Sequence, residues 1–196
     1  DLNILMTCGI RLWVLTGDKQ DTAEQIGRQC HLIDNDMKLF NLSTFDGNRN
    51  DLYEKMSLLV EQFDLEQFLE ENKLDLDQIM DTLSEEGTIE EQIGNIALII
   101  DGITLLNVLN DKHLRKMFFL LGVISKSVIC RRVSPKQKSD VVRLAKYSGE
   151  FVTLSIGDGA NDVPMILESS IGVGIQRKEG TQAVRSADYS IGQFRC

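Results

Sequence analysis

The segment LSIGDGANDVPMI, residues 154–166, places Asp158 and Asp162 four residues apart, with Asn161 between them and a glycine on each side of Asp158. Carboxylates clustered behind a buried strand are costly unless a cation compensates them. Mg²⁺ takes carboxylate and phosphate oxygens while keeping several waters. We therefore predict that Asp158 and Asp162 bind Mg²⁺, one directly and the other directly or through water. Asn161 would hydrogen-bond a phosphoryl oxygen without adding negative charge.

A second acid beside glycine follows another apolar run, in VLTGD, where Asp18 succeeds Thr16 and Gly17. Glycine lets backbone amides approach an anion closely, the threonine adds a hydroxyl donor, and a following helix start adds its positive dipole end. Ligands of open parallel sheets lie at the carboxyl ends of the strands. These residues therefore indicate a phosphate site. Asp101, after a third apolar run, is a further possibility, although a turn explains it more simply.

A phosphoryl-transfer site also needs a positively charged side chain that neutralises the negative charge developing on the phosphoryl group. Lys138, at the start of the helix that follows RVSP, is the best candidate, and Lys136 competes with it. Each of these motifs also has a structural explanation. TGD is commonly only a turn, Lys138 alone resembles a solvated helix lysine, and Arg131 and Arg132 are compatible with surface charge. GVGI is too short to indicate a nucleotide loop.

Apolar runs that end at turn residues alternate with segments of helical period. Such alternation predicts βαβ units and a parallel sheet covered by helices on both faces. Ser134 and Pro135 are suited to the start of the second helix. The strands are predicted in 12–18, 96–102, 127–135, 151–159, 171–175 and 188–192, and the helices in 20–33, 136–149 and 161–170.

The middle of the chain has a different composition. Between Asp51 and Glu91 there are fourteen acids and two bases, within a formal net charge of -9 for the chain. Apolar residues recur there at roughly helical intervals, which predicts one or two acidic amphipathic helices inserted into the domain. The apolar positions are Leu58, Leu59, Phe63, Phe68 and Leu69.

The overall composition excludes several classes of protein. A net charge of -9 argues against nucleic-acid binding, which needs a basic surface. The longest apolar run, residues 117–124, is too short to span a bilayer. The four cysteines lack the spacing of a metal knuckle or redox pair, so we expect free thiols in a reducing compartment, three of them in the core.

Several motifs together, in their order, resemble those of the P-type ATPases. They are LTGDKQDTAEQIG, ALIIDG, CRRVSPKQK, GDGANDVPMI and GVGIQRKEGTQAVRSADYSIGQF. Gln20, the VSPKQK run and EGTQA favour the type IV, phospholipid-transporting branch, the flippases. The resemblance covers roughly residues 1–40 and 95–196 and leaves the acidic middle unmatched.

The resemblance implies the C-terminal part of a phosphorylation domain with an α/β, Rossmann-like, haloacid dehalogenase-type parallel sheet and helices on both faces. We therefore expect a first part of the domain in residues 1–40, an acidic helical insertion in 41–95, and a second part in 96–196. Pro164 stands where flippases often have a small polar residue, and we expect it to be tolerated.

The family's site residues can be carried over to matching positions of this sequence. The resemblance implies that Thr16, Lys138 and Asp158 are catalytic. It implies that Asp158 and Asp162 form the Mg²⁺ side, and that Asp18, Lys138, Asp158 and Asp162 face one phosphoryl group. The residues that the resemblance assigns to ATP and its phosphates are Thr16, Gly17, Asp18, Arg132, Lys138, Asn161 and Asp162.

The resemblance also implies a reaction: ATP phosphorylates an aspartate in an Asp-Lys-Thr-Gly-Thr strand, and water then removes the phosphate. That motif does not occur in these residues. We therefore expect a piece of a longer protein that is inactive alone, and the start at Asp1 without a leader-like segment fits this expectation. Because the absent strand would be central, the exposed strand edges are expected to dimerise or be covered.

The complete protein is expected to be an integral membrane flippase with this domain on the cytosolic side. Its expected partners are ATP, Mg²⁺, phospholipid and an accessory beta subunit. Two other classes stay open. One is a catalytically silent ATPase-like module that regulates or scaffolds a fused domain, with the acidic segment as a binding element. The other is a soluble phosphatase of the same fold, which would need its own nucleophile strand.

Overall fold

A computed structural model provides the structure of the chain, which divides into two compact units, Asp1–Arg132 and Val133–Cys196. The structure describes residues 5–6, 8, 10–17, 25, 27–28, 32–34, 36–44, 47–63, 65, 95–148, 151–176 and 180–192.

The first unit contains a parallel sheet in the order β1-β4-β3-β2. Its two middle strands are almost wholly buried apolar runs, which is typical of parallel sheets. Leu15 of β1 pairs with Cys130 of β4, and Asp101 of β3 pairs with Arg131, so the carboxyl ends of these strands lie at one edge. The strands are β1 (Leu12–Leu15), β2 (Lys38–Asn41), β3 (Ile96–Asp101) and β4 (Ser127–Arg131).

Three helices of this unit follow β2 and β3: α1 (Arg49–Gln62), α2 (Gly102–Asn110) and α3 (Lys112–Ile124). Asp101 caps α2, because its carboxylate accepts a hydrogen bond from the Thr104 amide at 2.8 Å. Asp111 caps α3 in the same way through two amides. Each cap satisfies backbone donors that the first helical turn leaves without partners. The last eight residues of α3 are all buried, so their apolar character reflects a core helix.

Helix α1 supports part of the prediction for the acidic middle. Its buried side chains are Leu52, Met56, Leu59 and Val60, whereas Leu58 is exposed. The helix contacts α3, where Tyr53 stacks on His113 with ring centroids 5.7 Å apart. Arg49 also pairs with Asp111, the cap of α3. Phe68, Leu69 and the rest of 66–94 lie outside the described residues.

The second unit contains a parallel sheet in the order β5-β6-β7, formed by Leu154–Gly157, Ile171–Ile175 and Tyr189–Ile191. Helix α4 (Pro135–Ser148) precedes the sheet. Ser134 caps it: its hydroxyl accepts from the Gln137 amide, and the Gln137 side chain accepts from the Ser134 amide. After β5 come a 3₁₀ turn (Ala160–Asp162) and α5 (Val163–Glu168), and α6 (Gln182–Ser186) joins β6 to β7.

The glycines of the GVGI motif serve helix packing. A Cβ on Gly172 would lie 2.7 Å from the Ile166 side chain of α5. A Cβ on Gly174 would lie 2.6–2.7 Å from backbone atoms of Ala183 and Val184 in α6. The absence of side chains therefore lets both helices approach β6 closely.

The predicted α/β class and parallel pairing are confirmed, and all six predicted strands are present, one with its predicted bounds, 171–175, and the other five shorter. The strands belong to two separately hydrogen-bonded sheets, with β1 and β5 each at an outer edge of its sheet. Strand β2 and helices α2, α3 and α6 were not predicted. The predicted helix 20–33 lies largely outside the described residues. Within the described ranges, every helix is too short or too polar to cross a membrane.

We predict that Gly174→Ala lowers the free energy of unfolding by about 1–3 kcal/mol, because the added methyl group meets the α6 backbone. Chemical denaturation of the purified chain measures this change. Gly192→Ala is the matched control, since its Cβ would meet no atom within 4 Å. Equal stability of the two variants would contradict the close-packing explanation.

Candidate functional site

The turn after β5 is organised by the side chain of Asp162. Its Oδ2 accepts hydrogen bonds from the amides of Asp158, at 3.1 Å, and Gly159, at 3.3 Å. A Cβ on Gly157 would lie 2.4 Å from the Asp162 Cβ. The glycine that ends β5 therefore lets the Asp162 carboxylate fold back under the turn. This arrangement leaves Asp158 half-buried directly after the strand.

Lys138 and Asp162 form an ion pair within this unit. The Lys138 Nζ donates to Asp162 Oδ1 at 2.7 Å, and their side chains are only 11% and 13% exposed. The pair joins the first turn of α4 to the turn after β5. Lys138 is therefore not the solvated helix lysine that its sequence position also allowed.

The pKa of the Asp162 carboxyl is lowered by its partners. Burial acts to raise this pKa, but the hydrogen bond and charge of Lys138, together with the Asp158 and Gly159 amides, outweigh it. The carboxyl consequently stays ionised at neutral pH, so Lys138 and Asp162 hold opposite charges in a poorly hydrated place.

Two further contacts hold α4 against α5. Arg143 Nη2 donates to Glu168 Oε2 at 2.7 Å, and Lys146 Nζ donates to the Glu168 carbonyl at 3.1 Å. The Glu168 carboxylate raises the pKa of Arg143 through the hydrogen bond and its charge. Asn161 is exposed on the intervening 3₁₀ turn, and Pro164 lies in the first turn of α5, where proline is tolerated.

Within the first unit, predicted site residues lie past the carboxyl ends of neighbouring strands. The amide of Thr16 donates to the Cys130 carbonyl at 2.9 Å, next to the end of β4. Gly17 is exposed, and a Cβ there would meet no atom within 4 Å. Arg132 follows β4 directly, is exposed, and has a left-handed backbone with φ 52. Asp18 lies outside the described residues.

Two charges at this edge have structural roles that the sequence suggested only partly. Asp101 is the cap of α2, in line with the turn interpretation. Arg131 is only 5% exposed, so the surface-charge interpretation of this residue is wrong. Its Nη2 donates to Ser43 Oγ at 3.1 Å and lies 4.0 Å from Asp101 Oδ2. A charged residue at the end of a buried strand, such as Arg131, indicates from the sequence that a buried partner is needed. Nothing in the sequence indicates that Ser43 is that partner.

The donor set of the second unit fits a hard cation. Asp158 and Asp162 both lie in the turn after β5, and Mg²⁺ needs only one or two carboxylate ligands beside phosphate and water. Both Asp162 oxygens already accept hydrogen bonds. Across the described residues, His, Cys, Asp and Glu form no cluster of three or more able to hold a metal.

Comparison with known proteins gives close relatives and no matching family model. The chain is 45% identical to phospholipid-transporting ATPase DNF1 of Chaetomium thermophilum over 98% of its own length. It is 41% identical to DNF1 of Saccharomyces cerevisiae over 99%, and 42% identical to phospholipid-transporting ATPase 6 of Arabidopsis thaliana over 97%. The chain spans only 12–14% of the length of these relatives. The matches include the acidic middle, which the motifs did not cover.

The Lys138–Asp162 pair predicts a defined pH dependence. Because folding lowers the pKa of Asp162, the unfolded chain takes up this proton first, and acid favours unfolding. Wild type is therefore expected to have a higher free energy of unfolding than Asp162→Asn at neutral pH. This difference is expected to disappear as the pH falls from about 4, the ordinary carboxyl pKa, through the lowered pKa of the folded state.

Denaturant unfolding between neutral and acid pH, in the presence of a chelator, measures this difference. Asp140→Asn is the control, since it removes a carboxylate of α4 whose partner Lys136 is 82% exposed. A wild-type advantage over Asp162→Asn that is constant across this pH range would contradict the assignment.

Proposed function

Because this chain belongs to the type IV P-type ATPases, we propose that it is part of the phosphorylation domain of an ATP-driven phospholipid flippase. Its parallel α/β architecture agrees with the Rossmann-like, haloacid dehalogenase-type fold of that domain. The reaction is Mg²⁺-dependent phosphoryl transfer from ATP to an aspartate that lies outside these 196 residues.

One observation carries this proposal: a buried lysine, paired at 2.7 Å with Asp162, lies at the turn that presents Asp158 after a parallel strand. A lysine so held cannot swing into solvent without leaving a buried carboxylate unpaired. It is therefore available as a fixed positive charge for a phosphoryl group. Such preorganised charge is a principal source of rate enhancement in phosphoryl transfer.

In this proposal, Asp158 and Asp162 hold Mg²⁺ in different ways. Asp158 would hold the ion directly. Asp162 already accepts three hydrogen bonds while it holds Lys138 and the turn, so it would hold the ion through water. The bound ion neutralises phosphate charge. Asn161, exposed on the same turn, donates its amide hydrogens to a phosphoryl oxygen.

In the first unit, the residues that we propose for ATP and its phosphates lie beyond β1 and β4. Thr16 and Gly17, beyond β1, offer a hydroxyl and an unobstructed backbone to phosphate, together with Asp18. Exposed Arg132, beyond β4, approaches the nucleotide. Residues 1–40 and 96–196 form the two parts of the phosphorylation domain, and 41–95 the acidic insertion between them.

The complete protein, in this proposal, is an integral membrane enzyme with this domain in the cytosol. It hydrolyses ATP and moves phospholipid between leaflets, together with an accessory beta subunit. Residues outside this chain select the lipid. Names of relatives support the lipid substrate, since these relatives are phospholipid-transporting ATPases.

We predict that Asp158→Asn, in the complete protein, reduces Mg²⁺-dependent phosphoenzyme formation from ATP by about 100-fold or more, because a principal charge on the ion is lost. Transfer of radiolabelled γ-phosphate to the protein measures this step. Asp140→Asn, which removes a half-buried carboxylate of α4 paired with Lys136 and Arg143, is the matched carboxylate control and is expected to keep activity. Unchanged phosphorylation in Asp158→Asn would remove the assigned role, and wild type without phosphoenzyme would favour a silent ATPase-like module.

The isolated chain is proposed to be inactive and to dimerise through β5. In the described part of the second unit, β5 pairs on one side only, with β6. Three side chains on one face of this segment, those of Val152, Leu154 and Ile156, are 79%, 56% and 36% exposed. An apolar outer strand with open hydrogen-bonding groups favours pairing with a second copy.

Light scattering coupled to size-exclusion chromatography is expected to give a dimer mass for the wild-type chain at high concentration. Leu154→Lys is expected to shift it to a monomer, since a charge on an outer strand opposes edge pairing. Tyr147→Lys is the control, because it adds the same charge at an exposed position of α4. A well-ordered wild-type monomer at high concentration would contradict this proposal.

A further inference from the structure

The guanidinium of Arg131 lies at the carboxyl ends of three neighbouring strands in the first unit. It extends from the last residue of β4 toward Asp101 at the end of β3 and Ser43 beyond β2. Its Nη2 donates to Ser43 Oγ at 3.1 Å and lies 4.0 Å from Asp101 Oδ2, and the residue is 5% exposed. A buried guanidinium is stable only where partners compensate its charge, so these groups determine its position.

The partners of Arg131 are themselves held in place. The Asp101 amide donates to Ser43 Oγ at 3.0 Å, and Asp101 Oδ1 accepts from the Thr104 amide as the cap of α2. The Thr44 amide donates to the Thr104 hydroxyl at 3.1 Å in a buried position. Arg131 is therefore anchored to a hydrogen-bonded network that joins the segment after β2 to the start of α2.

The next residue, Arg132, has an unusual backbone. Its φ is 52, in the left-handed region that residues with a Cβ seldom adopt, and its side chain is exposed. Such a conformation persists only where the surroundings impose it. The buried, paired side chain of Arg131, one residue earlier, is such a restraint.

We propose that Arg131 is a positioning residue, which holds the end of β4 so that the left-handed backbone of Arg132 directs its guanidinium toward the nucleotide. This inference rests on the proposed function, in which Arg132 approaches ATP. If Arg131 loses its charge, the end of β4 relaxes and Arg132 loses its fixed direction. ATP affinity then falls, while the chemistry at Asp158 and Lys138 is retained.

The test uses the complete protein with Arg131→Met, which keeps a long apolar stem but removes the charge, and with Ser43→Ala, a milder change that removes one acceptor. Each is expected to raise the KM for ATP, and the Kd from equilibrium binding without turnover, by about three- to tenfold. The kcat is expected to change by less than about twofold. Arg131→Lys is expected to restore part of the affinity.

The decisive experiment combines two substitutions in one protein. In an Arg132→Ala background, Arg131→Met is expected to cause no further loss of ATP affinity, because its effect passes through Arg132. Arg115→Met, which removes an exposed arginine of α3, is the matched control and should leave ATP affinity unchanged. Thermal unfolding of each variant separates this effect from a loss of stability.

Two results with the Arg131 and Ser43 variants would overturn the inference. One is a lower thermal stability of Arg131→Met and Ser43→Ala with unchanged ATP affinity, which means a purely structural role. The other is an equal loss of affinity with and without Arg132. If Arg132→Ala alone leaves ATP binding unchanged while Asp158→Asn still abolishes phosphorylation, the inference fails and the proposed function stands. A wild-type protein that forms no phosphoenzyme overturns both.

Discussion

The ion pair between Lys138 and Asp162 is the interaction on which the geometry of the second unit's site depends. Both charges are largely removed from water, so each is tolerable only because the other is there. The pair forms because Gly157 lacks a side chain and because Ser134 starts α4 at the right residue. The arrangement of this turn thus depends on the absence of a side chain at Gly157 and on the helix cap at Ser134.

Charged groups at the ends of parallel strands serve two different purposes in this chain. In the first unit, Asp101 and Arg131 stabilise the fold, one as a helix cap and the other as a buried partner. In the second unit, Asp158 directly follows its strand but does not satisfy the backbone amides of the turn. The Asp162 carboxylate accepts the hydrogen bonds of those amides instead. An acid at a strand end therefore indicates a binding role only once it is known whether backbone amides already hydrogen-bond to its carboxylate.

Elements with strong local signals could be predicted from the sequence, and those that depend on distant partners could not. Short apolar runs, most of them ending at turn residues, gave the predicted strands, and Ser134 marked the start of α4. Strand β2, four residues of mixed polarity, exists because β3 pairs with it. The contact of Lys138 with Asp162 was expected only as shared orientation toward phosphate, since spacing in sequence does not determine which side chains meet across 24 residues.

The buried thiol of Cys130 lies on one of the two middle strands of the first unit's sheet. Its thiol is buried at the end of β4, and burial raises its pKa to about 12, so almost none of it is thiolate at neutral pH. Its carbonyl accepts a hydrogen bond from the Thr16 amide, so the sulfur lies on the strand next to the segment of Thr16 and Gly17. Alkylating reagents can reach this sulfur only when the strands separate. Its labelling rate, beside the exposed thiol of Cys8, therefore reports how often the sheet opens next to Thr16.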